Sequence, residues 1–132
     1  MRDVRRQYQN PPLVEALVDR IRLLEQREEG WNGYDALPPE REAVVYVMAW
    51  LREFFREVES ARLPWLQPHV MASAEGEVVL QWWRDPKRLT LYFSPHEATF
   101  IKSWGANIET EMEDGDAAPA TNRARLWEWL TS

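Results

Sequence analysis

The sequence predicts an α+β fold: two N-terminal helices packed on an antiparallel meander of four or five strands, with a short helix at the C-terminal end. Three observations carry this expectation. Apolar residues recur at helical spacing up to Val58 and at alternate positions from about residue 69 onward. The two patterns meet at Leu63-Pro64-Trp65-Leu66-Gln67-Pro68, where the prolines disfavour a continuing helix. A last apolar run, Leu126, Trp127, Trp129 and Leu130, follows the linker-like Ala117-Ala118-Pro119-Ala120.

The first helix opens at Asn10, a candidate cap, with Pro11 and Pro12 near the first turn. It carries Val14, Leu17, Val18, Ile21 and Leu24 and closes at Gly30. A loop follows, Gly30-Trp31-Asn32-Gly33-Tyr34-Asp35-Ala36-Leu37-Pro38-Pro39, in which Trp31 is expected to plug the gap between the helices. The second helix begins near Pro39. Its stripe of Val44, Val47, Met48, Leu51, Phe54, Phe55 and Val58 lies opposite Glu42, Arg52, Glu53, Arg56 and Glu57.

Strands are expected at about 69–74, 78–83, 88–94 and 98–104, with a weaker one near 107–112. A one-residue slip reverses every side chain, so apolar matching tests each register. A loop at Arg84 to Lys87 sets Trp82 against Leu89, Leu80 against Leu91 and Val78 against Phe93, giving one wholly apolar face. A three-residue loop, Glu75-Gly76-Glu77, sets Ala74, Ala72 and Val70 against Val78, Leu80 and Trp82. The turn at Pro95-His96-Glu97 leaves two registers open, one with Lys102 on the core face and one with Thr99 and Ser103 there. Asn122 is a candidate cap for the last helix.

At 132 residues the chain suits one domain, 1–132, and 45% apolar residues with eight Trp exclude a disordered class. A net charge of −6 argues against direct nucleic-acid binding, which draws its affinity from Lys and Arg on phosphates. The absence of Cys removes disulfides, thiolate zinc sites and thiol nucleophiles. Neither a signal-peptide pattern nor a long apolar stretch is present, so the expected location is cytoplasmic, off the membrane. Fourteen of the sixteen basic residues are Arg; that bias points to a GC-rich bacterial or phage genome, and the lack of Cys leans towards a thermophile.

Catalytic and cofactor sites are not expected. His69 and His96 lack the helical ligand spacing of a metal site, the five glycines form no phosphate loop, and Asp114-Gly115-Asp116 lacks a calcium loop's spacing. A hydrolase using a carboxylate pair is an alternative, although with 22 acidic residues pairs arise by chance. The features left point to binding. Glu109, Glu111, Glu113, Asp114 and Asp116 form an acidic run without a basic neighbour, either a solvated turn or a patch for a basic protein surface. Trp83 and Tyr92 lie on the sheet face opposite the inferred core; Trp127 and Trp129, two apart on a helix, cannot both face that core, and Trp127 joins Trp83 and Tyr92 as an expected partner contact.

The Gly-Trp-Asn-Gly-Tyr-Asp-Ala-Leu-Pro-Pro loop between two helices, with a meander behind it, resembles a group of small bacterial and phage proteins sharing a Gly-Trp-Asp/Asn-Gly-Tyr/Glu-x-Ala-x-Pro turn. The likeness covers about residues 20–104, with Asn32 where Asp is commoner, and implies a phage or mobile-element context. In size and acidity the chain also resembles, in kind only, phage-encoded inhibitors of bacterial RNA polymerase. That likeness implies a non-enzymatic regulator that docks on host RNA polymerase or its sigma factor and blocks promoter recognition. An antitoxin-like protein neutralising a small toxin is a further alternative.

Overall fold

The computed structural model describes residues 10–31, 33 and 36–132, with side chains from Leu13 onward. The capping role expected of Asn10, and Asn32, Tyr34 and Asp35 of the loop, lie outside what is described. Helices α1 (Asn10–Leu24) and α2 (Arg41–Ser60) are followed by strands β1 (His69–Ala72), β2 (Val78–Arg84), β3 (Lys87–Phe93), β4 (Ala98–Ser103) and β5 (Met112–Asp116), then helix α3 (Ala120–Thr131). The strands form one antiparallel meander in the order β1-β2-β3-β4-β5. The expected α+β class and element order are what the chain adopts. No described helix is long and apolar enough to cross a membrane.

The end of α2 shows how local chemistry shapes the path. Arg62 takes a left-handed φ of 57°, and the Arg62 and Leu63 N–H groups bond back to the carbonyls of Glu59 and Val58. This closure satisfies the last carbonyls before Pro64 forces an extended connector. That connector in turn serves the core. The carbonyl of Pro64 accepts the Trp127 indole N–H at 3.0 Å, and that of Leu66 accepts the Trp82 N–H at 2.7 Å. Trp50 completes the set by donating to the Ala117 carbonyl at 3.0 Å. Three buried indoles are thus satisfied by irregular backbone, as burial of a polar tip requires.

The core lies between the helices and one face of the sheet. Leu17, Ile21 and Leu24 of α1, Val44, Val47, Trp50, Leu51, Phe54 and Val58 of α2, and Leu126, Trp127 and Leu130 of α3 meet Val78, Leu80, Trp82, Leu89, Leu91, Phe93 and Phe100. Val14 and Val18 pack separately on Phe55, holding α1 to α2. Arg123, 9% exposed, ties α3 to α2: it grips the Glu57 carboxylate through two nitrogens and donates to the Ala118 carbonyl at 2.7 Å. The Glu57 hydrogen bond raises its already high pKa, so the guanidinium stays charged.

The β2–β3 register is the expected one, with pairing continued to Arg84 and Lys87 around a two-residue turn. The β1–β2 register differs by two residues, since Ala72 faces Val78 and Val70 faces Leu80. The parity is right and the loop is longer. Segment 73–77 closes on itself through Ser73 and Glu77, and is held by segment 37–40, where Leu37 N–H bonds to the Ala74 carbonyl and Glu40 N–H to that of Gly76. Gly76, at φ 85°, sits so close that an added Cβ would meet the Pro38 carbonyl oxygen at 3.1 Å.

The β3–β4 register puts Ala98, Phe100 and Lys102 on the helix side. Lys102 is accommodated because its stem runs to the rim, where the ammonium lies 5.1 Å from the Trp129 ring centre and 3.6 Å from the Glu113 carboxylate. Lys87 flanks the same indole and, with Arg84, donates to carbonyls at the end of α3, where the helix dipole favours cations. The weak strand expected at 107–112 lies further on, at Met112–Asp116, so Asp114-Gly115-Asp116 is an edge strand rather than a turn. Trp31 is half-buried rather than a plug: it donates to the Leu37 carbonyl at 2.8 Å with Arg27 over its ring. Asn122 lies inside α3, where its side chain donates to the Asp116 carbonyl instead of capping.

Candidate functional site

Every strand residue in the main core cluster belongs to one face of the sheet, or to its rim, and the opposite face carries none of that packing. Antiparallel pairing arranges this second face in three rows across the strands. Trp83, Arg88, Ser103 and Met112 form the first row. His69, Gln81, Thr90, Ile101 and Asp114 form the second, and Met71, Val79, Tyr92, Thr99 and Asp116 the third.

The face is mixed in character. Trp83 is 60% exposed, a large fraction for an indole, with Arg88 at 5.5 Å and His69 at 5.7 Å from its ring. Met71 and Met112 are exposed, Tyr92 and Ile101 are half-buried, and Val79 is covered. Gln81 donates to Thr90 across the centre at 3.1 Å, which fixes both side chains in place. Trp83, Tyr92, His69 and the cation Arg88 therefore stand on β1 to β3, while Asp114 and Asp116 stand on β5.

Strand β5 is held flat against β4 by a glycine. An added Cβ at Gly115 would stand 2.8 Å from the edge of the Phe100 ring, so the ring covers this bare backbone on the helix side. Hydrogen bonds from Ala117 to Ala98 and from Trp104 to Glu111 set the ladder, so alternate residues bond inward and Met112, Asp114 and Asp116 turn their backbone groups outward. An edge lined by carboxylates repels a second acidic edge.

Four of the residues singled out in the sequence come together here: Trp83, Tyr92, Asp114 and Asp116 share the open face. The other four do not. Trp127 is 1% exposed and sits in the core, stacked on Trp65 at 5.4 Å, so it is not a surface anchor; its neighbour Trp129 is the half-buried one. Glu113 points to the helix side and pairs with Lys102. Glu111 uses its carboxylate to close its own loop, accepting the Asn107 N–H at 3.1 Å, and Glu109 stands exposed in that loop. The acidic run is thus split by the alternation of an edge strand. Met71, Met112 and Arg88 are site residues that the sequence reading misses, and His69 is weighed there only as a metal ligand; the favoured β2–β3 register already places Arg88 beside Trp83.

At one end of β4 and β5, His96, Glu97, Ala98, Thr99, Asp116 and Ala118 line a shallow, open cleft of about 310 Å³. One Asp116 oxygen there is taken by the Ala118 N–H at 2.9 Å. Burial and the Asp116 carboxylate push the nearby Tyr46 phenol above its ordinary pKa, which keeps it neutral. Among the described residues no three His, Asp or Glu side chains stand close enough to hold a metal ion. Comparison with protein-family models, with curated proteins and with solved structures finds no match.

Proposed function

We propose that this chain is a non-enzymatic protein-binding regulator whose recognition surface is the open sheet face. One observation supports the reading above others: Trp83, Tyr92, Asp114 and Asp116 meet on a face against which the helices do not pack. The sheet holds their backbones at fixed spacing, so little backbone freedom is lost on docking. An exposed indole on β2 and two carboxylates three strands away on β5 supply an anchor and a charge pattern for a protein partner. The net charge of −6 disfavours nucleic acid as that partner.

In its most concrete form, the proposed partner is host RNA polymerase or its sigma factor, bound so as to block promoter recognition, as phage-encoded inhibitors do. Capture from a bacterial lysate tests this, with the wild-type chain and the variants Trp83→Ala and Asp114→Lys as baits. The expected result is a polymerase subunit held by wild type, lost with both variants, and inhibition of promoter-dependent transcription in the same order. Absence of any polymerase subunit from the wild-type capture refutes that partner.

A further inference from the structure

We propose that two copies of this chain associate face to face through the open sheet, with a twofold axis running along β3. The inference uses the same face as the proposed regulator function but stands on the face's own symmetry and charge. An axis across the strands would lay each β5 over the partner's β5, setting Asp114 and Asp116 against their own kind. An axis along β3 instead lays β5 over the partner's β1 and β4 over its β2, which is an isologous contact.

The rows then match position by position. Asp114 faces the partner's His69 and Asp116 the partner's Met71, in registers fixed by the ladders of each sheet. Trp83 meets the partner's Ser103, the small member of its row, with the partner's Met112 alongside. Thr99 faces Val79, and Ile101 faces Gln81 of the partner. Arg88 would meet its own copy near the axis, but its guanidinium leans over the Trp83 ring at 5.5 Å, away from the axis towards the partner's acidic β5.

The area is sufficient. Five strands spaced about 4.8 Å apart and three rows about 7 Å apart give a footprint of roughly 500 Å² per copy. Two copies bury about 1,000 Å² before side-chain relief is counted, which meets the threshold of about 1,000 Å² for a biological interface. Sheet edges offer no rival contact between copies: β5 is acidic, and β1 has four residues and is preceded by Pro68.

Sedimentation velocity of the purified full chain across micromolar concentrations tests the proposal. Wild type is expected to sediment as a dimer. Trp83→Ala, Asp114→Lys and His69→Asp, all at exposed positions, should each weaken dimerisation by about tenfold or more. An equimolar mixture of the Asp114→Lys and His69→Asp chains should restore the dimer, because the introduced ammonium of one copy then faces the introduced carboxylate of the other. The chain carrying both substitutions should do the same, and circular dichroism verifies that each variant keeps its fold. A monomeric wild type, a dimer indifferent to all three substitutions, or a mixture no stronger than its components overturns the proposal. A monomer would leave partner docking untouched, since lysate capture reads a different complex.

Discussion

Trp127→Ala empties the point where α2, α3, the connector and the sheet meet. The indole is 1% exposed, stacks on Trp65 at 5.4 Å, and makes T-shaped contacts with Phe54 and Trp82 at 5.1 and 5.6 Å. About 200 Å² of apolar ring at about 25 cal/mol per Å² comes to about 5 kcal/mol, and retaining the Ala methyl brings the loss to about 3–5 kcal/mol. The Pro64 carbonyl also loses its donor, adding about 1 kcal/mol where water does not enter. Against a total stability of roughly 5–15 kcal/mol, this removes a large part of the margin. Trp127→Phe separates the two contributions: most of the packing stays and the N–H is lost, so the cost should fall to about 1–3 kcal/mol. Urea unfolding followed by far-ultraviolet circular dichroism reads both values, since eight Trp residues would blur a fluorescence signal. A loss below about 1 kcal/mol for the Ala variant would mean that α3 does not dock where described.

Three further substitutions probe separate parts of the fold. Gly115→Ala should cost about 1–3 kcal/mol, because the new methyl meets the Phe100 ring at 2.8 Å; pairing it with Phe100→Leu should recover part of the loss, read as the unfolding midpoint. Arg123→Met leaves Glu57 without its partner and should cost about 2–4 kcal/mol, less than for a fully enclosed pair because Glu57 is partly solvated, while Arg123→Met with Glu57→Leu should be closer to wild type in the same assay. Trp31→Ala should cost only about 1–2 kcal/mol, as expected for a half-buried ring with one hydrogen bond, and a loss above about 3 kcal/mol would restore the plug.

What could be read from the sequence followed the reach of each interaction. The β2–β3 register was legible because Val78, Leu80 and Trp82 alternate cleanly and only one pairing keeps their face apolar. The β1–β2 register was not, because segment 37–40, distant in sequence, holds the turn. Strand β5 lacks apolar alternation, so the weak strand is expected at 107–112 and Asp114-Gly115-Asp116 reads as turn; the pairing of β5 is carried by backbone and by the fit of Gly115 to Phe100. Lys102 looked wrong for a core face until Trp129 and Glu113 were brought beside it, and neither lies near it in sequence.

The candidate site was half legible for the same reason. Period two set Trp83 and Tyr92 on the face away from the core, but splitting the acidic run needed β5 as a strand, which sent Asp114 and Asp116 to one side and Glu113 to the other. Helical spacing requires one of Trp127 and Trp129 to leave the core, and Trp127, the one expected at the surface, is the one that stays inside. The decision came from Pro64, whose carbonyl accepts the Trp127 indole N–H.

Oxidative footprinting bears most directly on the central claim that the open sheet face is a binding surface. Met71, Trp83 and Met112 lie exposed on that face, while Leu23, Val45 and Ile108 are exposed elsewhere. Adding the captured partner, or raising the concentration of the chain itself, should protect the first three and leave the others reacting as before. Unchanged oxidation of Met71, Trp83 and Met112 in a complex that protects Leu23 or Val45 would contradict it, and would move recognition to the helical side.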